Sequence, residues 1–131
     1  MKALFLIFSH SLTNKQINEI NTKLKVDKIV NLPDNLQKLW SQIPPEGGLP
    51  VNEVKKITNF LGNNAKSGDY VLIQGDFGAT FFVADFCLKN FLVPIYSTTK
   101  RISVEKEDKY GKISKTSIFE HLNFRKYQYY G

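Results

Sequence analysis

Tyr70-Val71-Leu72-Ile73-Gln74-Gly75-Asp76-Phe77-Gly78-Ala79-Thr80 decides the fold. A short apolar run of strand type stops at Gly75, and an apolar helical pattern carries on from Phe81 through Phe91. A strand without polar alternation is covered on both faces, as in a parallel sheet, and the helix behind it completes a β–α unit. The junction also presents free backbone N–H groups, where an anion can dock. Gly75 and Gly78 admit close approach of a ligand to the backbone.

Upstream, Ala3 to Phe8 is a second continuous apolar run, read as the first strand. Lys2 and this run mimic the start of a signal peptide, but the run is short and lacks a small-residue cleavage site. A helix start follows. Thr13 and Gln16 form a capping box, with Leu12 and Ile17 as the hydrophobic staple. Ile17, Ile20 and Leu24 are expected on its buried face, and the helix should end near Lys25. Val26 to Leu32 suggests a second strand, and Pro33-Asp34 opens a helix that Pro44-Pro45 stops. Val54, Ile57 and Leu61 mark a third helix, terminated near Gly62-Asn63-Asn64.

Downstream the pattern changes. Phe91 to Tyr96 reads as a fourth strand, ending in a polar tip, Ser97-Thr98-Thr99-Lys100-Arg101. Ile102–Glu107 and Lys112–Ile118 flank the turn candidate Asp108-Lys109-Tyr110-Gly111. Glu120 to Tyr127 alternates, with Leu122 and Phe124 on one face and His121, Asn123 and Arg125 on the other. The expected fold is α/β: a Rossmann-like, mainly parallel sheet flanked by helices, with a C-terminal β-hairpin extension. Residues 1–131 form one domain, with no repeat, linker or low-complexity tract.

Composition narrows the function. The chain is globular rather than disordered at 42% apolar and 23% charged residues. No apolar run is long enough to span a bilayer. The lone Cys87 fits a reducing cytoplasm, so a cytoplasmic protein without membrane association is expected. The net charge of +6 is uneven: residues 1–99 carry ten basic and eight acidic side chains, residues 100–131 eight and four. A basic C-terminal third favours an anionic partner such as a nucleotide or RNA, and equally fits a solvated lysine-rich surface.

Three polar tips then line up at strand ends: Ser9-His10-Ser11, Gln74 to Thr80, and Ser97 to Arg101. In open α/β sheets ligands sit beyond the carboxyl ends of the strands. Gly75-x-x-Gly78 is half of a dinucleotide fingerprint and lacks the Gly-Lys-Ser/Thr of a P-loop. Asp76 either caps the helix or meets a ribose hydroxyl, and Thr80 is structural or ligand-facing. Arg101 offers a fork that matches phosphate, with Lys100 beside it; an ordinary basic turn fits as well. His10 and His121 lack metal-ligand spacing; outside any site, His10 reads as a loop histidine that caps or hydrogen-bonds, and His121 as a surface histidine on a strand beside Arg125. Trp40 and the Phe-rich helix are most simply core, although that helix also suits an oligomer interface.

Four segments together resemble a known family: Phe8-Ser9-His10-Ser11-Leu12-Thr13, Leu32 through Pro45, Gln74 through Thr80, and Ser97 through Arg101 with Phe119-Glu120-His121. They are similar to the CRISPR-associated ring nucleases of the Csx-twenty type, accessory proteins of type III systems. The resemblance implies a Rossmann-like domain related to the ligand-sensing domains of type III effectors. It implies a homodimer that binds cyclic oligoadenylate, chiefly cyclic tetra-adenylate, on its two-fold axis, with no double-stranded DNA partner. Cleaving that messenger switches antiviral signalling off.

The residues fit such chemistry without metal or cofactor. The ribose 2′-OH attacks the adjacent phosphorus in line, expels the 5′-oxygen and leaves a 2′,3′-cyclic phosphate. On this reading His10 moves a proton, Asp76 orients a ribose hydroxyl, and Lys100 and Arg101 stabilise the charged transition state. Ser9, Ser11, Gln74, Gly75, Phe77, Gly78, Thr80, Thr98, Thr99 and His121 are the expected ligand contacts. Rival expectations are a protein that binds the ring without cutting it, and an RNA-binding module using the basic hairpin with Tyr110, Tyr127, Tyr129 and Tyr130. A dedicated sensor would be expected to carry a fused effector, which favours the enzyme or the sponge. A structural subunit that binds no small ligand is a further alternative.

Overall fold

A computed structural model describes every residue from Met1 to Gly131. Strand β1 (Ala3–Ile7) leads through helix α1 (Asn14–Glu19) and a π-helical continuation (Ile20–Leu24) to β2 (Lys28–Asn31). Helices α2 (Asp34–Ser41) and α3 (Val51–Asn64) precede β3 (Tyr70–Ile73). Helix α4 (Phe77–Lys89) then connects to β4 (Val93–Glu107), which pairs with β5 (Ile113–Lys126). The five-stranded sheet runs β2-β1-β3-β4-β5. β2, β1, β3 and β4 are parallel, and β5 is antiparallel to β4. This is the α/β, Rossmann-like sheet with a C-terminal hairpin that the sequence pattern implies.

The expected capping box is present: the Thr13 hydroxyl accepts from Gln16 N–H (3.2 Å) and the Gln16 side chain from Thr13 N–H (2.8 Å). The buried face of α1 differs from expectation. Gln16, Glu19 and Ile20 are buried, Leu24 is half-buried and Ile17 is exposed. The helix relaxes into its π-helical turn immediately after Glu19 and stops at Lys25, whose φ is 53°.

The strands bury both faces. Leu4, Leu6, Phe8, Leu72 and Ile95 pack with Ile20 on the α1 side. Phe5, Ile7, Val71 and Ile73 pack against α2, α3 and α4 on the other, where Trp40 is 2% exposed. Asp69 ties the sheet's lower edge, its two carboxylate oxygens accepting from Ala3 N–H (3.0 Å) and Lys66 N–H (2.9 Å). The C-terminal segment is anchored where Tyr127 donates its hydroxyl to the Ile73 carbonyl at 2.7 Å.

Helix α4 buries Ala79, Val83, Ala84 and Cys87 but leaves Phe77 and Phe81 in solvent, so it is not covered all round. Burial pushes the Cys87 thiol from its ordinary 9.0 to about 12. The folded thiol therefore stays protonated where an unfolded one ionises, and stability from this group is lost as pH rises between those values. Native protein at pH 8 is expected to resist dithionitrobenzoate and to release one equivalent of thiol on unfolding in urea. Fast reaction of the native protein would refute this.

The hairpin differs in extent from the sequence expectation. Instead of a strand, a polar tip and three further short segments, β4 runs unbroken through Ser97–Arg101, and β5 joins Ile113 to Lys126. β3 pairs with β4 only over Val93–Ile95, so from Tyr96 onward β5 is the sole strand paired with β4, and the two continue as a two-stranded ribbon. The expected turn is confirmed: Asp108 Oδ1 accepts from Tyr110 N–H (2.8 Å) and Lys112 N–H (2.9 Å), and Gly111 has φ 77°.

Candidate functional site

The chain reverses its direction of travel across the sheet at β1. β2 lies on one side of it and β3 on the other, and the connecting helices lie on opposite faces. Crevices at the carboxyl ends of strands at such a switch point are where open α/β sheets hold ligands. The loop Ser9-His10-Ser11 leaves β1 at this point, and the glycine break leaves β3 beside it.

Ser9, His10 and Ser11 line a cleft of about 650 Å³ together with Asn31, Asp34 and Gln37. Gln37 donates to the Phe8 carbonyl at 3.0 Å, which fixes the end of β1. Ser9 Oγ lies 3.2 Å from Ser41 Oγ. His10 is exposed, with its ring edge-on to Phe8 at 6.1 Å between centroids. Its nitrogens make no hydrogen bond within the chain, so they are free to serve a ligand.

At the glycine break the structure gives each residue a local task. A Cβ on Gly75 would lie 2.8 Å from Trp40 Nε1 and 2.9 Å from Cε2. The indole packed across the turn is by itself enough to require glycine here. Trp40 Nε1–H donates to the Gln74 carbonyl at 3.0 Å, and the Gln74 side chain accepts from Ser97 N–H at 2.9 Å. Gln74 thus splices β4 to β3 where their ladder ends, and its side-chain oxygen is already engaged. Gly78 has room for a Cβ at ordinary contact distances. Asp76 caps α4, its Oδ2 accepting from Ala79 N–H at 3.0 Å, while its other oxygen has no partner in the chain. Phe77 is 95% exposed. Thr80 Oγ1 is buried without a hydrogen-bond partner. Phe77 and Thr80 line a separate, aromatic cavity of about 540 Å³ with Phe81 and Tyr127–Tyr130.

The third tip is corrected. Ser97, Thr98, Thr99, Lys100 and Arg101 are strand residues. Thr98 Oγ1 donates to the Asn123 carbonyl at 2.9 Å, and Arg101 Nε to Ser117 Oγ at 3.0 Å across the ribbon. Thr99, Lys100 and Arg101 are exposed. The two larger cavities are lined by one tip each, and Lys100 and Arg101 line neither. Within one chain the cations and the glycine break do not share a pocket there.

His121 is also corrected, in face and in burial. Thr98 pairs with Asn123 but Thr99 with His121, so Leu122 is an extra residue in β5. This bulge turns His121 onto the face of Phe124, with ring centroids 4.5 Å apart, and leaves Leu122 exposed. His121 is buried. Its Nε2 lies 2.7 Å from Glu19 Oε1, and its Nδ1 is hydrogen-bonded to Ser97 Oγ. Glu19 also accepts from Phe124 N–H at 2.9 Å. Glu19 and Ser97 were invisible as partners because each lies far from His121 in sequence. The one available signal was Glu19 falling three residues after Gln16 and next to Ile20, a carboxylate on the buried face of α1.

The fold defines a Rossmann-like α/β protein with an open cleft at the carboxyl ends of β1 and β2. Residues 2–125 match the family described as "Uncharacterized protein MJ1673 family", and the chain belongs to it. It is 51% identical over 132 residues to "Uncharacterized protein MJ1673" of Methanocaldococcus jannaschii, covering 99% of this chain and 100% of that relative. No solved structure matches. No helix is long and apolar enough to cross a membrane.

Proposed function

We propose that the protein binds cyclic tetra-adenylate at the carboxyl edge of its sheet and cleaves it as a ring nuclease. The observation that supports this reading is the open cleft at the carboxyl ends of β1 and β2, which Ser9, His10 and Ser11 line as the chain leaves β1. A cleft of about 650 Å³ suits one drug-sized ligand. A ring of four nucleotides needs two such clefts, which a homodimer supplies around a two-fold axis. The exposed ribbon cations Lys100 and Arg101 then serve the ring held against a neighbouring subunit.

The chemistry needs little from the protein. The 2′-OH loses its proton to a base as its oxygen bonds to phosphorus. The 5′-oxygen leaves and takes a proton, and a 2′,3′-cyclic phosphate remains. His10 is the proton-transfer group, since its ring nitrogens are unengaged in the cleft. Asp76 keeps one oxygen for a ribose hydroxyl beside its capping role.

Incubation of the protein with cyclic tetra-adenylate in chelator, followed by chromatography, tests the reading. Linear products ending in 2′,3′-cyclic phosphate are expected, with His10→Ala slowing their appearance about 10²–10⁴-fold. Ring recovered intact from a protein complex would make the protein a sponge. No retention of the ring, with linear RNA bound in a steeply salt-dependent way, would favour the RNA-binding ribbon instead.

A further inference from the structure

Helix α4 is apolar on two sides, and the core of its own chain takes only one of them. Ala79, Val83 and Cys87 are fully buried, in the cluster that also holds residues of the sheet and of α3. A second stripe, Phe77, Phe81, Ala84 and Leu88, advances in steps of four, three and four residues. That is the spacing of a seam between packed helices. All four residues line the aromatic cavity of about 540 Å³, which Tyr127–Tyr130 complete. Phe77 is 95% and Phe81 76% exposed, while Ala84 between Phe81 and Leu88 is buried and small. The stripe therefore carries two bulky rings and a dip.

Extent and charge say what covers it. At about 150–250 Å² for each aromatic side chain, the exposed parts of Phe77, Phe81, Tyr129 and Tyr130 amount to about 500–850 Å². The largest apolar patch of an ordinary monomer is about 300–600 Å², and each side of a standard protein interface buries about 800 Å². The stripe is about 16 Å long at 1.5 Å per residue, the reach of a helix rather than of one small molecule. The cavity wall carries a single charged residue, Asp85, and Lys89 pairs with it at 2.8 Å. In a chain of net charge +6, this is a face on which two copies meet without repulsion.

We propose that this face is a two-fold interface between copies of this chain, with α4 packed antiparallel on the same helix of the second copy. The stripe has the same steps in both directions. Antiparallel alignment therefore sets Phe81 into the dip at Ala84 of the partner subunit, and Phe77 against Leu88 of the partner subunit. Parallel alignment would crowd Phe81 against the partner's Phe81 and leave Ala84 facing the partner's Ala84 across a void. Interdigitation of large with small side chains is what close-packed helices require. A two-fold interface is self-complementary, so each copy supplies both the ring and the dip. Phe77 directly follows Asp76, so the two glycine breaks flank one axis. The interface supplies the dimer that a four-nucleotide ring needs, and it stands without that ring.

Sedimentation velocity of the native protein should show a dimer. Phe81→Glu should convert it to a monomer with unchanged circular dichroism, because Phe81 stands in solvent in the single chain. The milder Phe77→Ser should weaken association about tenfold or more. Disulfide trapping reads the alignment: a mixture of Phe77→Cys and Leu88→Cys proteins should cross-link on oxidation, and Phe77→Cys alone should not. Cys87 is buried and stays silent in this assay. A monomeric wild type, a dimer unchanged in folded Phe81→Glu, or a disulfide in Phe77→Cys alone would overturn the proposal. Ring cleavage is read separately. A dimer that leaves cyclic tetra-adenylate intact keeps the interface and counts against the nuclease reading alone, and cleavage by a monomer does the reverse.

Discussion

Trp40→Ala is expected to destabilise the protein by about 3–5 kcal/mol, the range for deleting a buried aromatic side chain. Trp40 belongs to the large core cluster, and its indole covers the turn at Gly75. The substitution also removes the hydrogen bond to the Gln74 carbonyl. Gly75→Ala attacks the same contact from the other side. Its new Cβ would come within 3.0 Å of three indole atoms. Overpacking of this kind costs about 1–3 kcal/mol. The two effects are not independent. In a Trp40→Ala background the space is empty, so Gly75→Ala should cost close to nothing there. Urea unfolding followed by circular dichroism in the four-member cycle measures this. Equal Gly75→Ala penalties in both backgrounds would show that glycine is needed at 75 for some other reason, ligand approach among them.

Glu19→Ala should be the second most damaging single change. It strands two buried donors, His121 Nε2–H and Phe124 N–H. Each stranded donor costs about 1–3 kcal/mol. Glu19→Gln keeps one side-chain oxygen as acceptor and should lose less than half as much. Because α1 and the base of the hairpin meet through this carboxylate, the Ala variant should also loosen β5. Faster amide exchange at Phe124 than at Val71 in the sheet centre would report that loosening. A loss below about 0.5 kcal/mol, the usual scale of surface changes, would show that water replaces the carboxylate at no cost.

The glycine break shows how far local reading goes. That Tyr70–Ile73 is a strand and that α4 follows was legible between Tyr70 and Phe91, and the Asp76 cap was one of the two readings open there. Also legible were the capping box at Thr13 and the turn at Asp108–Gly111, because each closes hydrogen bonds within a few residues. Why position 75 is glycine was not legible. The answer is Trp40, 35 residues upstream, and no local pattern carries a contact of that range.

The hairpin shows the opposite error. Ser97–Arg101 is polar and hydroxyl-rich, which locally reads as a loop, yet β5 supplies a ladder that keeps it extended. His121 was assigned to the wrong face because strict alternation was assumed, and one inserted residue, Leu122, reverses it. The sequence by itself determined the β–α order, the apolar strands that demand cover on both faces, and the basic C-terminal third. Those properties are local, set by side-chain periodicity and charge. Only the tertiary structure decided that His121 is buried between Glu19 and Ser97 and that the ribbon cations stand apart from the glycine break. Those depend on pairings across 24 to 102 residues of chain, where a single bulge decides which side chains meet.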